Sequence, residues 1–218
     1  MPTICLLSDT HGVHRKLQLP KADWILHCGD ISSMGTIPQV QDFLDWYEKT
    51  DYSKRILISG NHDFLFERNP SLAQDMISEN VIYLESSSVE IDGIKIFGEP
   101  RTPWFHNWAF NVRRGKDIKK YWNAVPEDTD ILISHGPPQG ILDMTIEGES
   151  VGCEELLARL PALKKLKLVC FGHIHEARGS YKFVNGQLAI NASVLDRRYV
   201  LKNKPYVVDT ETWSIVSS

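Results

Sequence analysis

The chain has 218 residues, of which 42% are hydrophobic and 24% are charged. This length and balance predict a single domain over residues 1–218, with a core large enough to support a rigid cluster of polar side chains. No apolar stretch reaches the roughly 18 to 20 residues of a membrane span, and the N-terminus lacks the pattern of a secretory signal. We therefore expect a cytoplasmic protein without membrane contact.

Charge and cysteine content exclude further classes of function. The 24 Lys and Arg residues against 28 Asp and Glu residues give a net charge of −4. No basic cluster is long enough to follow a phosphate backbone, so long nucleic acids are not expected partners. The four cysteines lack the close spacing of a zinc site or a disulfide framework. They are predicted to be reduced, buried residues: Cys5, Cys28, Cys153 and Cys170.

Five short apolar runs alternate with helical patterns, which is typical of a layered α/β domain. The runs cover residues 4–8, 24–28, 56–59, 131–134 and 168–172. Between them, residues 38–49 and 154–160 carry apolar side chains at helical spacing, and these stripes are expected to face the core.

A second set of strands is predicted at residues 81–84, 89–91, 94–98, 181–184, 187–190, 206–209 and 213–216. Asp92-Gly93 and Asn185-Gly186 are two-residue hairpin signals, because these residues tolerate a positive φ. No internal repeat or linker divides the chain. The pattern favours two β-sheets packed face to face with helices outside.

Polar residues with metal-binding side chains follow each of the five apolar runs. They are Asp9-Thr10-His11, Gly29-Asp30, Gly60-Asn61-His62-Asp63, Ser134-His135 and Gly172-His173-Ile174-His175. In open α/β sheets ligands bind beyond the carboxyl ends of the strands, so these groups are expected to converge on one sheet edge. Seven oxygen and nitrogen donors are enough for two metals, a combination suited to phosphoester hydrolysis.

Each residue also has a structural explanation when it is taken alone. An Asp or Asn after a strand commonly caps a helix or closes a turn, and a single histidine is weak evidence for a ligand. Only the combination favours a metal centre. Two further histidines are assigned no ligand role: His27 is expected to be buried within its strand, and His14 is expected at the surface.

The preferred ligand assignment makes Asp30 the bridge between two divalent metal ions. One metal would take Asp9, His11, Asp30 and His175, and the other would take Asp30, Asn61, His135 and His173. Mixed carboxylate, amide and imidazole ligands suit manganese, iron, zinc or cobalt better than calcium or magnesium. Manganese is the first expectation.

The order of these motifs, D-x-H, GD, GNHD, an isolated H and GHxH, resembles that of the calcineurin-like metallophosphoesterase superfamily. The resemblance spans Asp9 to His175. It implies an α/β fold, a four-layer αββα sandwich with two mixed β-sheets, and the dinuclear centre at the strand ends. It also implies the same set of seven ligands.

Three stretches further resemble the branch of small MPPED-type phosphodiesterases: Phe171-Gly172-His173-Ile174-His175-Glu176, His135-Gly136-Pro137-Pro138 and Ile190-Asn191-Ala192-Ser193. Some members of that branch lack the first histidine of GHxH and are weakly active, so the presence of His173 implies a competent centre. The resemblance implies that His62 steadies the phosphoryl oxygen or protonates the leaving group. Asp63 is expected to orient or charge-stabilise that imidazole.

The leading hypothesis is a phosphodiesterase that hydrolyses small or cyclic nucleotide diesters through a metal-bridging hydroxide. The substrate is expected to contact Asn61, His62, His106 and Trp104. The last two lie in an aromatic segment, residues 99–112, which could wall a pocket or form a surface loop pinned by its own rings. A phosphomonoesterase, a protein phosphatase and a catalytically weak interaction module stay open as alternatives. The roles of Arg101 and Asp143 and the oligomeric state are also open.

Overall fold

The computed structural model describes residues 1–217. Its strands are β1 Thr3–Leu7, β2 Trp24–His27, β3 Lys54–Leu57, β4 Ile82–Tyr83, β5 Ser87–Ile91, β6 Ile94–Glu99, β7 Thr102–Pro103, β8 Asn111–Val112, β9 Ile131–Ser134, β10 Leu168–Phe171, β11 Gly179–Lys182, β12 Leu188–Asn191, β13 Tyr206–Asp209 and β14 Ser214–Ser217. Its α-helices are α1 Ile37–Glu48, α2 Phe64–Arg68, α3 Pro70–Met76, α4 Lys116–Asn123 and α5 Glu154–Arg159. Short 3₁₀ turns cover His14–Lys16, Leu160–Ala162 and His175–Ala177.

Twelve of these strands form two six-stranded sheets, in the orders β14-β13-β1-β2-β3-β4 and β11-β12-β10-β9-β6-β5. Strands β1 to β4 are parallel to one another, whereas β13 is antiparallel to β1, and β14 is antiparallel to β13 at the edge of the sheet. In the second sheet β6, β9, β10 and β12 are parallel, and β5 and β11 form antiparallel edges. Both sheets are therefore mixed, as predicted.

The alternation of side chains along each strand divides the core into three layers of contact. Ile4 and Leu6 of β1 point between the sheets, where they join Ile131 and Ile133 of β9 in one buried cluster. The opposite face of the first sheet packs against α1, α2 and α3, and that of the second packs against α4 and α5. Burying one such aliphatic side chain contributes about 2 kcal/mol, and the result is the predicted four-layer αββα sandwich.

The five apolar runs before the motifs become β1, β2, β3, β9 and β10, all with parallel neighbours. Several end one or two residues earlier than predicted, because the chain already turns into the motif loop there. The Asp92-Gly93 turn is confirmed, with φ values of 51° and 77°. The second hairpin differs: Gly186 alone adopts a positive φ, and the turn extends from Phe183 to Gln187.

His14 is not at the surface, so this prediction was wrong. Its side chain is fully buried, with ring centroids 5.3 Å from Phe43 and 4.9 Å from Trp46. Its Nε2 lies 3.2 Å from Asp42 Oδ2. The apolar stripe of α1 thus extends to cover this imidazole, whereas His27 is buried in β2 as expected.

The four cysteines are buried free thiols, in agreement with the sequence prediction. Burial raises the pKa of Cys5 to about 12 and that of Cys153 to about 11, which leaves both thiols protonated and inert at neutral pH. Among residues 1–217, no helix has the length and hydrophobicity required to cross a membrane.

Candidate metal centre

The loops that follow β1, β2, β3, β9 and β10 bring the seven predicted ligands to one edge of the two sheets. Four of these residues adopt left-handed backbone conformations: Asp9 (φ 57°), His11 (φ 39°), Asp30 (φ 57°) and His173 (φ 70°). Such conformations cost a non-glycine residue about 1 kcal/mol or more, and strain of this kind concentrates at functional sites. The backbone is therefore strained at these four positions, and the strained conformations direct the side chains into the site.

The donor atoms form overlapping groups whose members all lie within 4.8 Å of one another. One group contains Asp9, His11 and His175, and another contains Asp30, His135 and His173. Asp30 Oδ2 lies 3.5 Å from Nε2 of His11 and 3.3 Å from Nε2 of His135. A single carboxylate oxygen thus stands between the two groups, as a bridging ligand would.

Asn61 completes the second group, because its Oδ1 lies 2.8 Å from Nε2 of His135. Asp9 of the first group is held in place by the loop after β10 of the second sheet. The backbone N–H of His173 donates to both of its carboxylate oxygens, at 3.1 and 3.0 Å. Ser193 Oγ donates a further short hydrogen bond to Asp9 Oδ2. Gly172 is required here, since a Cβ at that position would collide with Asp9 and Ser8. The two sheets are therefore joined through the site itself.

Backbone carbonyls orient three of the imidazoles in the same way. Nδ1 of His135 lies 2.9 Å from the carbonyl of Cys28, Nδ1 of His175 lies 3.1 Å from that of Asp196, and Nδ1 of His62 lies 2.7 Å from that of Ser33. Each carbonyl requires a proton on Nδ1, which leaves Nε2 directed to the site. This is the tautomer that a metal-binding histidine needs.

The buried negative charges of Asp9 and Asp30 favour the binding of cations at the site. Burial opposes ionisation of Asp9 and Asp30, but the facing His175 and His135 outweigh it and hold the pKa of both carboxyls below the usual range. In turn, the carboxylates overcome the effect of burial on the two imidazoles. The pKa of His135 is raised to about 9 by Asp30, and that of His175 to about 9 by Asp9. Protons here balance two buried carboxylates, a role that divalent cations fill directly.

His11 supplies a second test of fit. Both of its ring nitrogens are buried, and within residues 1–217 neither has a hydrogen-bond partner, since Asp30 Oδ2 at 3.5 Å is too far for a good bond. Burial lowers the pKa of His11 to about 4, so the imidazole is neutral. An unpartnered neutral imidazole beside two carboxylates is a lone-pair donor that lacks an acceptor. The donor set therefore fits two divalent metal ions.

His62 lies beside the ligands and faces the same space. It shares a donor group with His11 and Asp30, and its ring centroid is 4.6 Å from that of His11. Its N–H donates to Asp30 Oδ1 at 2.8 Å. The backbone of His62 is therefore held by the proposed bridging residue, and in the described part of the chain its Nε2 makes no hydrogen bond.

Asp63 does not contact the imidazole of His62, contrary to the sequence expectation that it orients this ring. Its carboxylate accepts hydrogen bonds from the backbone N–H groups of Ile31, Ser32 and Gly60 and from the Ser32 hydroxyl, at 2.7 to 3.2 Å. Burial, followed by the charge of Asp30, raises the pKa of Asp63 to about 6. Asp63 clamps together the two loops that carry Asp30 and Asn61, and the Ser33 carbonyl orients His62 instead.

A cavity of about 330 Å³ opens over the ligands, a size that suits a small organic molecule. Asp30, Asn61, His62, His173 and His175 form its floor, and Phe105, Trp108 and Tyr199 form aromatic walls. The ring centroid of Trp108 is 4.2 Å from that of His62.

Two predicted substrate contacts do not line this cavity. Trp104 is 60% exposed, and His106 is exposed on the same loop. The aromatic segment does wall the cavity, but through Phe105 and Trp108, because the loop turns Trp104 and His106 outward. Their expected contact with substrate has no support in the cavity as it stands.

Known proteins resemble this chain in sequence and in fold. The family model described as "Calcineurin-like phosphoesterase" matches residues 2–177. The chain belongs to the calcineurin-like phosphoesterase family. It is 35% identical to metallophosphoesterase domain-containing protein 1 of Homo sapiens and of Mus musculus, over 96% of this chain and 71% of each relative. A solved structure titled as a novel archaeal phosphodiesterase is 19% identical, covers 99% of this chain and 98% of its own, and has a TM-score of 0.50. This structure therefore shares the overall fold of the chain.

Tyr199 is a residue of this phosphoesterase that the sequence did not single out. It adopts a φ of 59° and is 52% exposed, although its ring centroid lies 4.9 Å from His11 and 5.1 Å from His175. It belongs to a turn over residues 196–200, hereafter the 196–200 turn, in which the N–H of Asp196 donates to the carbonyl of Val200. No motif marks it, because its position depends on the loop after Ser193.

Arg101 and Asp143, whose roles were open, have structural partners in this phosphoesterase. Arg101 forms ion pairs of 2.8 Å with both Glu85 and Glu99 and stacks on Tyr121, and it does not line the cavity above the ligands. Asp143 accepts hydrogen bonds from the N–H groups of Gly140 and Gly152 and from the Ser150 hydroxyl. Both anchor loops.

Proposed function

We propose that this phosphoesterase is a dinuclear metal-dependent phosphodiesterase that hydrolyses small phosphodiesters, cyclic nucleotides among them. The observation that carries the proposal is the position of Asp30 Oδ2 between His11 and His135, at 3.5 and 3.3 Å. Two ions bound there would neutralise charge on the phosphoryl oxygens and lower the pKa of water to near 7.

The ligand sets follow from the two donor groups. Asp9, His11 and His175 would hold one ion, His135, His173 and Asn61 would hold the other, and Asp30 would contact both. Ligands of mixed oxygen and nitrogen type favour manganese, iron, zinc or cobalt, and manganese is the metal we propose. A cytoplasmic location rests on the sequence and stays a prediction.

His62 is the proposed general acid. The Ser33 carbonyl fixes its Nδ1 proton, and the free Nε2 faces the cavity beside the ligands. Because the Nδ1 proton is held by Ser33, His62 would act as the imidazolium, whose second proton, at Nε2, can be given to the leaving alkoxide oxygen. Groups of this kind typically accelerate hydrolysis by about 10²- to 10⁴-fold.

The walls of the cavity favour a diester over a monoester. Phe105 and Trp108 stand on one loop and Tyr199 on another, so apolar surface is offered by two separate walls. A diester carries an organic group on each side of phosphorus and can use both walls, whereas a monoester carries one. The complete donor set favours catalysis over the alternative of an interaction module that has lost activity.

Metal analysis and turnover test this function together. Protein purified without chelator is expected to contain two equivalents of transition metal, and to hydrolyse bis-p-nitrophenyl phosphate faster than p-nitrophenyl phosphate. Asp30→Asn is expected to lower kcat by roughly 100-fold or more, because it removes the charge shared by both ions. Asp128→Asn, an exposed partner of Lys95, serves as the control and is expected to keep full activity.

The same panel should include 2′,3′- and 3′,5′-cyclic nucleotides, which report directly on the proposed substrate class. A clear preference for the monoester would contradict the phosphodiesterase assignment. Undiminished turnover in Asp30→Asn would contradict the metal centre.

A further inference from the structure

A second cavity of about 390 Å³ adjoins the metal centre. His175, a proposed metal ligand, lines both this cavity and the one above the ligands. The second cavity is also lined by Arg178, Arg197, Lys202 and Asn203, and we refer to it as the basic cavity. Its lining is mostly charged and polar, with Glu176 and Asp196 beside the cations, in contrast to the aromatic walls of the first cavity.

The acidic residues at the rim of the basic cavity are already engaged by the backbone. Glu176 accepts a hydrogen bond from the N–H of Ile146 at 3.2 Å. The carboxylate of Asp196 accepts from the N–H groups of Arg198 and Val200 at 2.8 and 3.1 Å. Both carboxylates therefore hold the two loops of the rim in place through hydrogen bonds to backbone N–H groups.

The cationic groups are held differently. The Arg178 guanidinium donates to the Tyr206 hydroxyl at 3.0 Å and to the Lys204 carbonyl at 2.8 Å, and it stacks on Tyr206 at 4.2 Å. Neither Arg197 nor Lys202 has a carboxylate within ion-pair distance in the described part of the chain. The cavity thus combines one fixed cation with two that form no close ion pair within residues 1–217, although Lys202 is near enough to Asp196 to help lower the pKa of that carboxyl.

The same two loops separate the cavities. On one loop Thr145 lines the metal cavity and Ile146 lines the basic cavity; on the 196–200 turn, Tyr199 lines the first and Arg197 the second. A substrate seated at the metal centre would pass between these loops at His175. The geometry is that of a reaction site with an adjoining anion-binding subsite.

We propose that the basic cavity binds a second anionic group of the substrate, a terminal phosphate carried on the same molecule as the scissile phosphodiester. This inference rests on the proposed phosphodiesterase function and narrows its substrate class to small phosphodiesters that bear an additional phosphate. Arg197 and Lys202 pair with that phosphate, and Arg178 supplies fixed positive charge behind it.

Two chromogenic esters that differ by one phosphate test the subsite by turnover. They are the p-nitrophenyl ester of thymidine 5′-phosphate and the same ester with a 3′-phosphate. In the wild type, kcat/KM is expected to be about tenfold higher for the 3′-phosphorylated ester, as two charge-assisted contacts allow. The double variant Arg197→Ala/Lys202→Ala is expected to lose this preference and to keep its kcat/KM for the unphosphorylated ester within about twofold.

Arg198→Ala is the control for loss of positive charge from the 196–200 turn, because it removes the cation next to Arg197 but does not line the basic cavity. It is expected to keep the preference. Thermal unfolding of all variants checks that the fold is intact, and the exposed positions of Arg197 and Lys202 make this the expected result. Equal kcat/KM for the two esters in the wild type, or an equal loss on both in the double variant, would overturn the subsite.

Binding separates the subsite from the proposed function. Calorimetric titration of the manganese-loaded protein is expected to give a Kd about tenfold lower for thymidine 3′,5′-bisphosphate than for thymidine 5′-phosphate, and this difference should vanish in Arg197→Ala/Lys202→Ala. If this difference is found but neither ester is hydrolysed, the subsite stands and the phosphodiesterase assignment fails. If both esters are hydrolysed and the nucleotides bind equally, the subsite fails and the assignment stands.

Discussion

The carbonyl oxygen of Asp196 lies 3.1 Å from Nδ1 of His175 and orients that imidazole. The carboxylate of the same residue closes the 196–200 turn through the N–H groups of Arg198 and Val200. This turn also carries Tyr199, whose ring centroid lies 5.1 Å from that of His175. One residue therefore couples the direction of a proposed metal ligand to the wall above it.

Removing the Asp196 carboxylate is expected to loosen this wall. In Asp196→Ala two backbone N–H groups lose their acceptor, and kcat/KM for bis-p-nitrophenyl phosphate should fall by about three- to tenfold as Tyr199 becomes mobile. Asp209→Ala is the matched control: Asp209 accepts the N–H groups of Glu211 and Thr212 in the distant β13–β14 turn. Equal kinetic losses in the two variants would contradict the coupling.

His62 is expected to act on the substrate without holding metal. His62→Ala should lower kcat by about 10²- to 10⁴-fold, because the proton donor at Nε2 is removed. The metal content, measured by elemental analysis, should stay at the wild-type value, since the seven proposed ligands are unchanged. A parallel loss of metal would instead assign His62 to the ligand set.

His106 gives the contrasting prediction. It is exposed and does not line the metal cavity, so His106→Ala should leave kcat/KM for bis-p-nitrophenyl phosphate within about twofold of the wild type. A loss of tenfold or more would restore the substrate contact that the sequence predicted for this residue.

Much of the fold and the ligand cluster could be predicted because each depends on local pattern. Residues 131–134 form a buried strand since four consecutive apolar and small residues fit a layer between helices and a second sheet. His135 follows that strand, so its place at the sheet edge follows from topology. The convergence of Asp9, Asp30 and His175 could be expected because each follows the carboxyl end of a predicted strand.

The remaining parts of the site depend on contacts that a motif does not encode. Asp63 follows His62 in sequence, but its buried carboxylate pairs with loop N–H groups about 30 residues away, at Ile31 and Ser32. Tyr199 reaches the site only because a turn holds it at a positive φ. Such positions are fixed by tertiary packing. The adjacency of Asp63 to His62 did not reveal its partners, and no motif pointed to Tyr199.

Asp63 is therefore predicted to be a positioning residue. Asp63→Ala leaves buried N–H groups of Gly60, Ile31 and Ser32 without acceptors, and it should lower the free energy of unfolding by about 2 to 4 kcal/mol. It should also weaken manganese binding by about 10- to 100-fold, because the loops of Asp30 and Asn61 lose their clamp. Urea unfolding and metal titration measure the two effects.

The control is Asp143→Ala, which removes a buried carboxylate that joins loop N–H groups of Gly140 and Gly152. It should destabilise the protein to a similar extent and leave manganese affinity unchanged. If Asp63→Ala instead altered kcat alone, with normal stability and metal affinity, the catalytic role expected from the sequence would return.

His27 is expected to make the protein acid-sensitive. Its Nδ1 accepts the N–H of Gly29 at 3.2 Å, so Nε2 carries the proton and donates to Thr10 Oγ1 at 3.1 Å. A second proton on Nδ1 would face the N–H of Gly29. Burial lowers the pKa of His27 to about 3, so this group's contribution to stability is present above its unfolded pKa of about 6.5 and declines as pH falls below it.

Between pH 7.5 and pH 5.5 the decline attributable to His27 should be about 1.4 kcal/mol, because the unfolded chain takes up a proton that the folded chain refuses. Urea unfolding of wild type and His27→Gln at both pH values isolates this effect, since the other histidines titrate in both proteins and cancel. The wild type should be the more stable at pH 7.5, and the gap should narrow by about 1.4 kcal/mol at pH 5.5. A gap that is the same at both pH values would mean that His27 can be protonated within the fold.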